Sequence, residues 1–193
     1  MAILRESLLT LEAYAKVRDR VRDEVIAHKR NRYVRLGNHL TFLFEDETTI
    51  RYQIQEMLYI EKIFEEPGIA AELEAYLPLV PDGDNLKATM QIEYENESER
   101  RAALGRLIGI EDRVFLRVGD GPAVFAVADD DLERENSEKT SAVHFLCFKL
   151  TDSMKAALRA GADLWIGCDH PNYPIAPVAV DPHVRKALIG DLR

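Results

Sequence analysis

The segment TIRYQIQEMLYIEKIF, from Thr49 to Phe64, predicts an amphipathic helix. At about 100° per residue, one broad apolar arc of this helix contains Ile50, Ile54, Met57, Leu58, Ile60 and Phe64. A polar stripe is formed by Arg51, Gln55 and Lys62. Three polar residues interrupt the pattern, because Glu61 falls near the centre of the arc, Gln53 near its edge and Glu56 on the far side. A buried carboxylate is costly unless it is paired, protonated or metal-bound, so this helix is the first candidate site.

The composition is that of an ordinary folded protein, with 47% apolar and 31% charged residues in 193. The net charge of −9 argues against general nucleic-acid binding. The segment Lys16–Arg35 is nevertheless basic, with eight Lys or Arg against three acids, which leaves −14 for the rest of the chain. Such polarity is suited to an acidic partner or to head-to-tail association with a second copy.

Cysteine usage and hydropathy predict a cytoplasmic protein with reduced thiols. Cys147 and Cys168 are too few for a disulfide framework. The first residues carry charges where a signal peptide needs an apolar run, and no stretch approaches the roughly 18 apolar residues of a membrane span.

The order of predicted elements indicates an α/β or α+β protein. A first helix is predicted from Leu11 to Asn31 and is followed by two short strands that turn at Gly37. After Leu86 the signals are mainly strands with short crossover helices, and a charged loop is predicted over 129–139. We therefore expect a single domain, 1–193, in which a helical part of about 1–80 packs on a mixed β-sheet of about 86–193.

Four segments resemble a bacterial family that is known only as a domain of unknown function, DUF3501. They are HLTFLFEDETTIRYQIQEMLYIEKI, LKATMQIEYE, TSAVHFLCFKL and DHPNY, and the resemblance extends over nearly the whole chain. No chemistry is assigned to these motifs. Members are often encoded near rubrerythrin-like and iron–sulfur or flavin oxidoreductase proteins, so the resemblance implies a role beside redox or iron handling.

The first candidate site consists of Gln53, Glu56 and Glu61. These residues could bind a metal ion or transfer protons, and Gln53 could join Glu56 at i,i+3. Glu56 and Glu61 are about 140° apart on the helix, so each needs a separate partner. The alternative, and the commoner case, is that one carboxylate pairs with an arginine of the first helix.

The second candidate is the pattern H-x-x-C…C-x-H of His144, Cys147, Cys168 and His170, which offers ligands suited to zinc. Residues three apart on a strand point to opposite faces, which weakens this hypothesis. Cys147 is then a small core residue, and His144 faces a neighbouring strand.

The third candidate is the predicted loop CDHPNYP, which contains Asp169, His170 and Tyr173. It follows the strand ADLWIG, which a helix connects to SAVHFLCFKL. If these two strands are parallel, the loop lies at the carboxyl end of the sheet, where ligands bind. Catalytic roles are hypothesised for Glu56, Asp169, His170 and Tyr173, and a metal site of iron, zinc or manganese for Glu45, Glu56, His144 and His170.

The fourth candidate is a basic stripe on the first helix, formed by Arg18, Arg22 and Lys29, together with Arg30, Arg32 and Arg35. It could bind phosphate, an acidic partner or RNA, of which RNA is disfavoured by the interleaved acids and the scarce aromatic residues. The ligand-binding hypothesis consists of Arg18, Arg22, Gln53 and Glu61. The alternative is a solvated face that pairs with the acidic remainder of the chain.

No nucleotide-binding or serine-hydrolase motif occurs. The leading hypothesis is an accessory protein that binds a redox partner in an iron-handling system of the rubrerythrin type. The first alternative is a metal-dependent enzyme with a carboxylate and histidine site. The second is a self-assembling structural protein, a homo-oligomer held by its oppositely charged segments.

Overall fold

The computed structural model describes residues 3–128 and 139–193, so the predicted charged loop lies, apart from Lys139, outside the described residues. The helices are α1 Leu11–Lys29, α2 Glu47–Ile60, α3 Glu66–Tyr76, α4 Glu97–Arg106, α5 Asp152–Arg159 and α6 Pro182–Asp191. The strands are β1 Tyr33–Leu36, β2 Leu40–Phe44, β3 Asn85–Ile92, β4 Val114–Val118, β5 Ala123–Phe125, β6 Val127–Ala128, β7 Val143–Lys149, β8 Leu164–His170 and β9 Tyr173–Ala179. No helix of the described part is long and apolar enough to cross a membrane.

The chain divides into two compact units. The first unit is Met1–Asn31 with Glu45–Pro81, and the second is Arg32–Phe44 with Asp82–Arg193. The hairpin of β1 and β2 belongs to the second unit because β2 pairs with β3 along five residues. The sequence placed this hairpin in the helical part, since hydrophobic periodicity along the chain carries no information on which distant strand will be a neighbour.

The first unit is built on an antiparallel pair of helices. Tyr14 near the start of α1 bonds Glu56 near the end of α2, whereas His28 near the end of α1 contacts Asp46, the N-cap of α2. Asp46 and Thr49 form a reciprocal capping box, which fixes where α2 begins. Large buried side chains fill the interior of this unit: Tyr14, Val25, Ile50, Ile54, Leu58 and Ile69.

The second unit contains two antiparallel sheets. One has the strand order β1-β2-β3-β7-β6 and the other β5-β4-β8-β9. One hydrophobic core draws residues from both sheets and from α4, α5 and α6. This arrangement of helices and antiparallel sheets confirms the α+β class, while the mixed sheet of the sequence analysis is replaced by antiparallel pairing among the described strands.

The condition on which the third candidate rested, a parallel pair of strands around α5, is not met. The strands β7 and β8 lie in different sheets, and β8 pairs antiparallel with β4. The predicted loop CDHPNYP is instead the tip of a hairpin, because β8 continues to His170 and β9 pairs back from Tyr173. A strand–helix–strand order favours a parallel pair only when both strands join one sheet, and here α5 connects two sheets.

Candidate functional site

Glu56 of α2 is held by two residues of α1. The Tyr14 hydroxyl donates to Glu56 Oε1 at 2.6 Å, and Arg18 donates from Nε to Oε1 at 2.9 Å and from Nη2 to Oε2 at 2.7 Å. The Glu56 side chain is only 15% exposed. A forked guanidinium that meets both carboxylate oxygens is the strongest geometry for such a pair. Glu56 is therefore an anchor between two helices, as the alternative in the sequence analysis expected.

We call Tyr14, Arg18 and Glu56 the clamp. Its hydrogen bonds and charges keep Glu56 ionised and Tyr14 protonated. The hydrogen bonds from Arg18, more than those from Tyr14, lower the pKa of Glu56 against the opposing effect of burial. Burial, followed by the hydrogen bond to Glu56, raises the pKa of Tyr14 far above its usual value. A carboxylate with a lowered pKa is a poor general base at neutral pH, so this geometry favours binding over proton transfer.

Aromatic rings hold the cations that surround the clamp. The Arg18 guanidinium lies over the Tyr59 ring at 5.1 Å, and Lys62 Nζ lies over the same ring at 4.6 Å. Lys29 Nζ lies over the Tyr52 ring at 5.5 Å. We call this surface the α1–α2 seam, and it consists of Arg18, Arg22, Lys29, Tyr52, Glu56, Tyr59 and Lys62. A ring positions a cation but does not neutralise it, so most of the positive charge of the seam remains available.

Arg22 is the fourth cation of the seam. Its side chain is exposed and makes no hydrogen bond or ion pair within 3–128 and 139–193. Its charge acts on the clamp at longer range, because Arg22 helps to lower the pKa of Glu56. The basic stripe of the sequence analysis is thus a fixed cationic surface with one unpaired guanidinium.

The other polar positions of α2 differ from the helical projection. Glu61 is exposed as the C-cap of α2, so its expected place in the apolar arc is wrong, and Gln53 is partly exposed. The buried amide is that of Gln55, which was placed in the polar stripe. Gln55 Oε1 accepts from Leu9 N at 2.8 Å and Gln55 Nε2 donates to Leu9 O at 3.1 Å. The segment before α1 covers this flank, which a projection of α2 alone cannot reveal.

The residues of the β8–β9 hairpin are occupied by backbone contacts. His170 is buried, its Nε2 donates to Ile108 O at 3.1 Å, and its Nδ1 accepts from Asn172 N at 3.2 Å. The Tyr173 hydroxyl donates to Leu36 O at 3.1 Å and accepts from His39 N at 2.9 Å. Asp169 is exposed and lies 3.8 Å from Arg113. With both ring nitrogens engaged, His170 has no lone pair for a metal ion.

His144 lies in a separate buried polar cluster. Its Nε2 is 3.0 Å from both Ser141 O and Thr140 Oγ1, and 3.9 Å from Glu111 Oε2. Glu111 was not selected from the sequence, because the signal EDR after a helix is typical of an exposed turn. The thiols of Cys147 and Cys168 both have a pKa raised mainly by burial, which disfavours a thiolate ligand.

The proposed metal ligands do not form a cluster. Glu45 is buried and accepts a hydrogen bond from Thr49 Oγ1. Across residues 3–128 and 139–193, no group of three or more His, Cys, Asp or Glu side chains could hold a metal ion. The set of Glu45, Glu56, His144 and His170 is therefore four separate polar positions, each with partners of its own.

Sequence reasoning missed the aromatic part of the seam. Tyr14 and Tyr59 pack edge to face with ring centroids 5.7 Å apart, and Tyr52 lies beneath Lys29. A signal was present, since Tyr52, Glu56 and Tyr59 follow the helical spacing of one face. Large aromatic residues on a helix usually belong to the core, however, so this spacing alone does not distinguish a binding surface.

Comparison with known proteins yields relatives without a described activity. The model of the family described as DUF3501, protein of unknown function, matches residues 2–192. A crystal structure described as a novel protein of unknown function from Burkholderia pseudomallei K96243 is 69% identical and is covered fully, as is this chain, with a TM-score of 0.96. No curated protein matches. The function must therefore be argued from the residues of this chain.

Proposed function

The chain belongs to the DUF3501 family, and we propose that it is an accessory protein whose α1–α2 seam binds the acidic surface of a partner protein. The observation that carries this proposal is Arg22, an exposed and unpaired cation beside a rigid Arg18–Glu56 clamp. Arg18, Lys29 and Lys62 are held by Glu56 or by a tyrosine ring, so they lose little conformational freedom when they meet a carboxylate, and Arg22 adds an unpaired charge beside them.

The charge of the seam selects the class of partner. Four cations face one carboxylate, and that carboxylate is already paired with Arg18. Of the acids of the basic segment, Asp23 and Glu24 lie about 100° and 160° from Arg22 on α1, whereas Asp19 lies about 60° away and forms no ion pair with it among the described residues. Excess positive charge on one face attracts an acidic surface and accelerates encounter with it.

The length of the seam favours a protein over a small anion. From Tyr52 to Tyr59 it follows α2 for seven residues, which is roughly 10 Å at 1.5 Å per residue, and Lys62 extends it past the end of the helix. One phosphate could not contact both ends. RNA is disfavoured because the chain as a whole carries −9, which repels a polyanion at long range.

The identity of the partner rests on the family resemblance. Association of the family with rubrerythrin-like and oxidoreductase proteins makes a redox or iron-handling protein the first partner to test, in the cytoplasm. The described geometry supports binding rather than chemistry, since His170 and Tyr173 are engaged by backbone groups. The metal-dependent enzyme therefore has no observation in its favour among the described residues.

Native co-purification tests the proposal. The wild-type protein is captured from its own cells at low salt, and the recovered proteins are identified by mass spectrometry. We expect an acidic oxidoreductase in near-stoichiometric amount, lost in Arg22→Glu and retained in Lys16→Glu. Lys16 is a matched control because it is exposed on another face of α1 and undergoes the same change in charge. Repeated recovery of the chain alone, or equal recovery by both variants, contradicts the proposal.

A further inference from the structure

The outer face of the β5-β4-β8-β9 sheet carries aromatic rings around one cation. Alternate residues of β4 and β8 are buried in the core, whereas Phe115, Arg117 and Trp165 lie between them and are partly exposed. Phe125 of β5 is 43% exposed, and its ring centroid lies 5.4 Å from that of Phe115. The Arg117 guanidinium lies over the Trp165 ring at 5.4 Å. We call Phe115, Arg117, Phe125 and Trp165 the sheet platform.

Strand pairing fixes the positions of these side chains. Phe115 lies opposite Phe125 on β5 and opposite Gly167 on β8. A Cβ at Gly167 would lie 2.5 Å from Phe115 Cζ, so glycine is needed for the tip of this ring to lie against β8. Arg117 follows on the same face and lies opposite Trp165. Two residues along a strand span about 7 Å, so the rings and the guanidinium occupy neighbouring positions.

The charge of Arg117 is not neutralised within the described part of the chain. Apart from its ring contact, the Arg117 side chain makes no hydrogen bond or ion pair in residues 3–128 and 139–193, and its Nε is buried without a partner. The other Asp, Glu, Lys or Arg of these four strands is Asp169, which lies 3.8 Å from Arg113. Asp120 after β4 and Asp163 before β8 form no ion pair with Arg117 either. A guanidinium in this state gains most from an anion that it can bind through two hydrogen bonds.

We propose that the sheet platform binds a free nucleotide, with the base stacked on the exposed rings and the phosphate bound by Arg117. Aromatic side chains offer a flat apolar surface to a planar base. A neutral ring compound would leave the guanidinium unpaired, and a simple anion would leave the rings in water. One unpaired cation matches one phosphate, whereas a nucleic-acid strand needs several cations and is repelled by the net charge of −9.

A platform of this kind leaves no motif in the sequence. The nucleotide-binding motifs that are missing from this chain hold phosphates in glycine-rich loops. The sheet platform instead combines residues of β4, β5 and β8, which only the strand register brings together. It belongs to the second unit and does not depend on the acidic partner proposed for the seam, which belongs to the first.

Equilibrium dialysis of the full chain with labelled AMP measures binding, and the fluorescence of Trp165 locates it. Trp165 is the single tryptophan of the chain and lies under Arg117, so a phosphate bound there should change its emission. The wild-type protein should bind one AMP per chain with a dissociation constant near or below about 1 mM. Adenosine and inorganic phosphate should each bind about tenfold more weakly or worse, because each lacks one of the two contacts.

Two substitutions separate the phosphate contact from the stacking contact. Arg117→Gln should weaken AMP about tenfold or more and leave adenosine unchanged, whereas Phe125→Ala should weaken both about fivefold or more. Arg101→Gln is the matched control, since Arg101 is exposed on α4 and undergoes the same change in charge. It should bind AMP like the wild-type protein, and circular dichroism should show the same fold in all variants.

Three results would overturn the proposal. The first is a wild-type protein that shows no saturable binding of AMP. The second is binding that neither substitution weakens and that leaves the emission of Trp165 unchanged, which would place the nucleotide elsewhere. The third is inorganic phosphate that displaces AMP at an equal concentration, or an equal loss of AMP and adenosine in Arg117→Gln, since either would exclude the combination of stacking with a phosphate contact.

Discussion

The α1–α2 seam and the β8–β9 hairpin both concentrate titratable side chains, but they use them in different ways. In the hairpin, the imidazole of His170 and the hydroxyl of Tyr173 form hydrogen bonds with backbone groups, so these atoms stabilise the fold and are not available to a ligand. In the seam, side chains bond one another and leave cations on the outer side. A cluster rich in titratable residues is therefore a candidate for binding only when some of its charged or hydrogen-bonding groups are not already bonded within the protein.

The largest effect is expected for His170→Ala. This substitution leaves Ile108 O and Asn172 N without a partner and opens a cavity at a buried position. The free energy of unfolding should fall by about 2–4 kcal/mol, measured by urea denaturation. His183→Ala, at an exposed histidine of α6, should change it by less than about 0.5 kcal/mol. An unchanged free energy of unfolding in His170→Ala would show that the hydrogen bonds of this histidine do not stabilise the fold, which would contradict the difference drawn between the hairpin and the seam.

Glu56→Gln should destabilise the protein by about 1–3 kcal/mol at pH 7, because the clamp loses its charged acceptor. The folded pKa of Glu56 is lowered, so its contribution is fully present above its ordinary pKa and is lost as pH falls through the folded value. The difference between wild type and variant should therefore shrink in acid, which denaturation at several pH values measures. Glu61→Gln, at an exposed position, should show no such dependence. A stability difference between wild type and Glu56→Gln that grows as the pH falls would contradict the role of the ionised Glu56 in the clamp.

Substitutions of Lys62 distinguish the backbone strain of its positive φ from the attraction between its ammonium group and the Tyr59 ring. Lys62→Ala keeps a side chain at φ +58° and removes the cation from the Tyr59 ring, whereas Lys62→Gly also relieves the backbone strain. Thermal or urea unfolding should find Lys62→Gly more stable than Lys62→Ala by about 1 kcal/mol. Equal stabilities would mean that the turn after α2 is not strained.

The smallest effect on stability is expected for Arg22→Ala. Arg22 has no hydrogen-bond partner in the described residues, so its removal should change the free energy of unfolding by less than about 0.5 kcal/mol. Arg18→Ala on the same helix should cost more, because it releases Glu56 from its bidentate pair. If Arg22→Ala were as destabilising as Arg18→Ala, Arg22 would be a structural residue and not a binding one.

Local signals predicted most of the elements, but not their neighbours. The helix after Thr10 and the turn at Gly37 follow from capping and turn chemistry and were correct. The pairing of β8 with β4 was not accessible, because antiparallel and parallel partners of one strand share the same apolar pattern. The grouping of the β1–β2 hairpin with the second unit was not accessible for the same reason.

The candidate site was recovered in part. Glu56 and Arg18 were both singled out, and the pairing of one carboxylate of this helix with an arginine of the first helix was stated as an alternative, since a mid-helix carboxylate requires a partner. Gln55 was missed because its partner is the backbone of Leu9, 46 residues earlier, and not a side chain with a recognisable charge. His170 was overvalued because a histidine next to a proline in a predicted loop does not reveal that both ring nitrogens face main-chain atoms.

The affinity of the co-purified partner for wild type, Arg22→Glu and Lys16→Glu tests the central claim most directly. We expect the dissociation constant to rise about tenfold or more in Arg22→Glu at low salt, to stay near the wild-type value in Lys16→Glu, and to rise with ionic strength in the wild type. Equal affinities of the three proteins, or an affinity that does not depend on salt, would contradict a binding function of the α1–α2 seam.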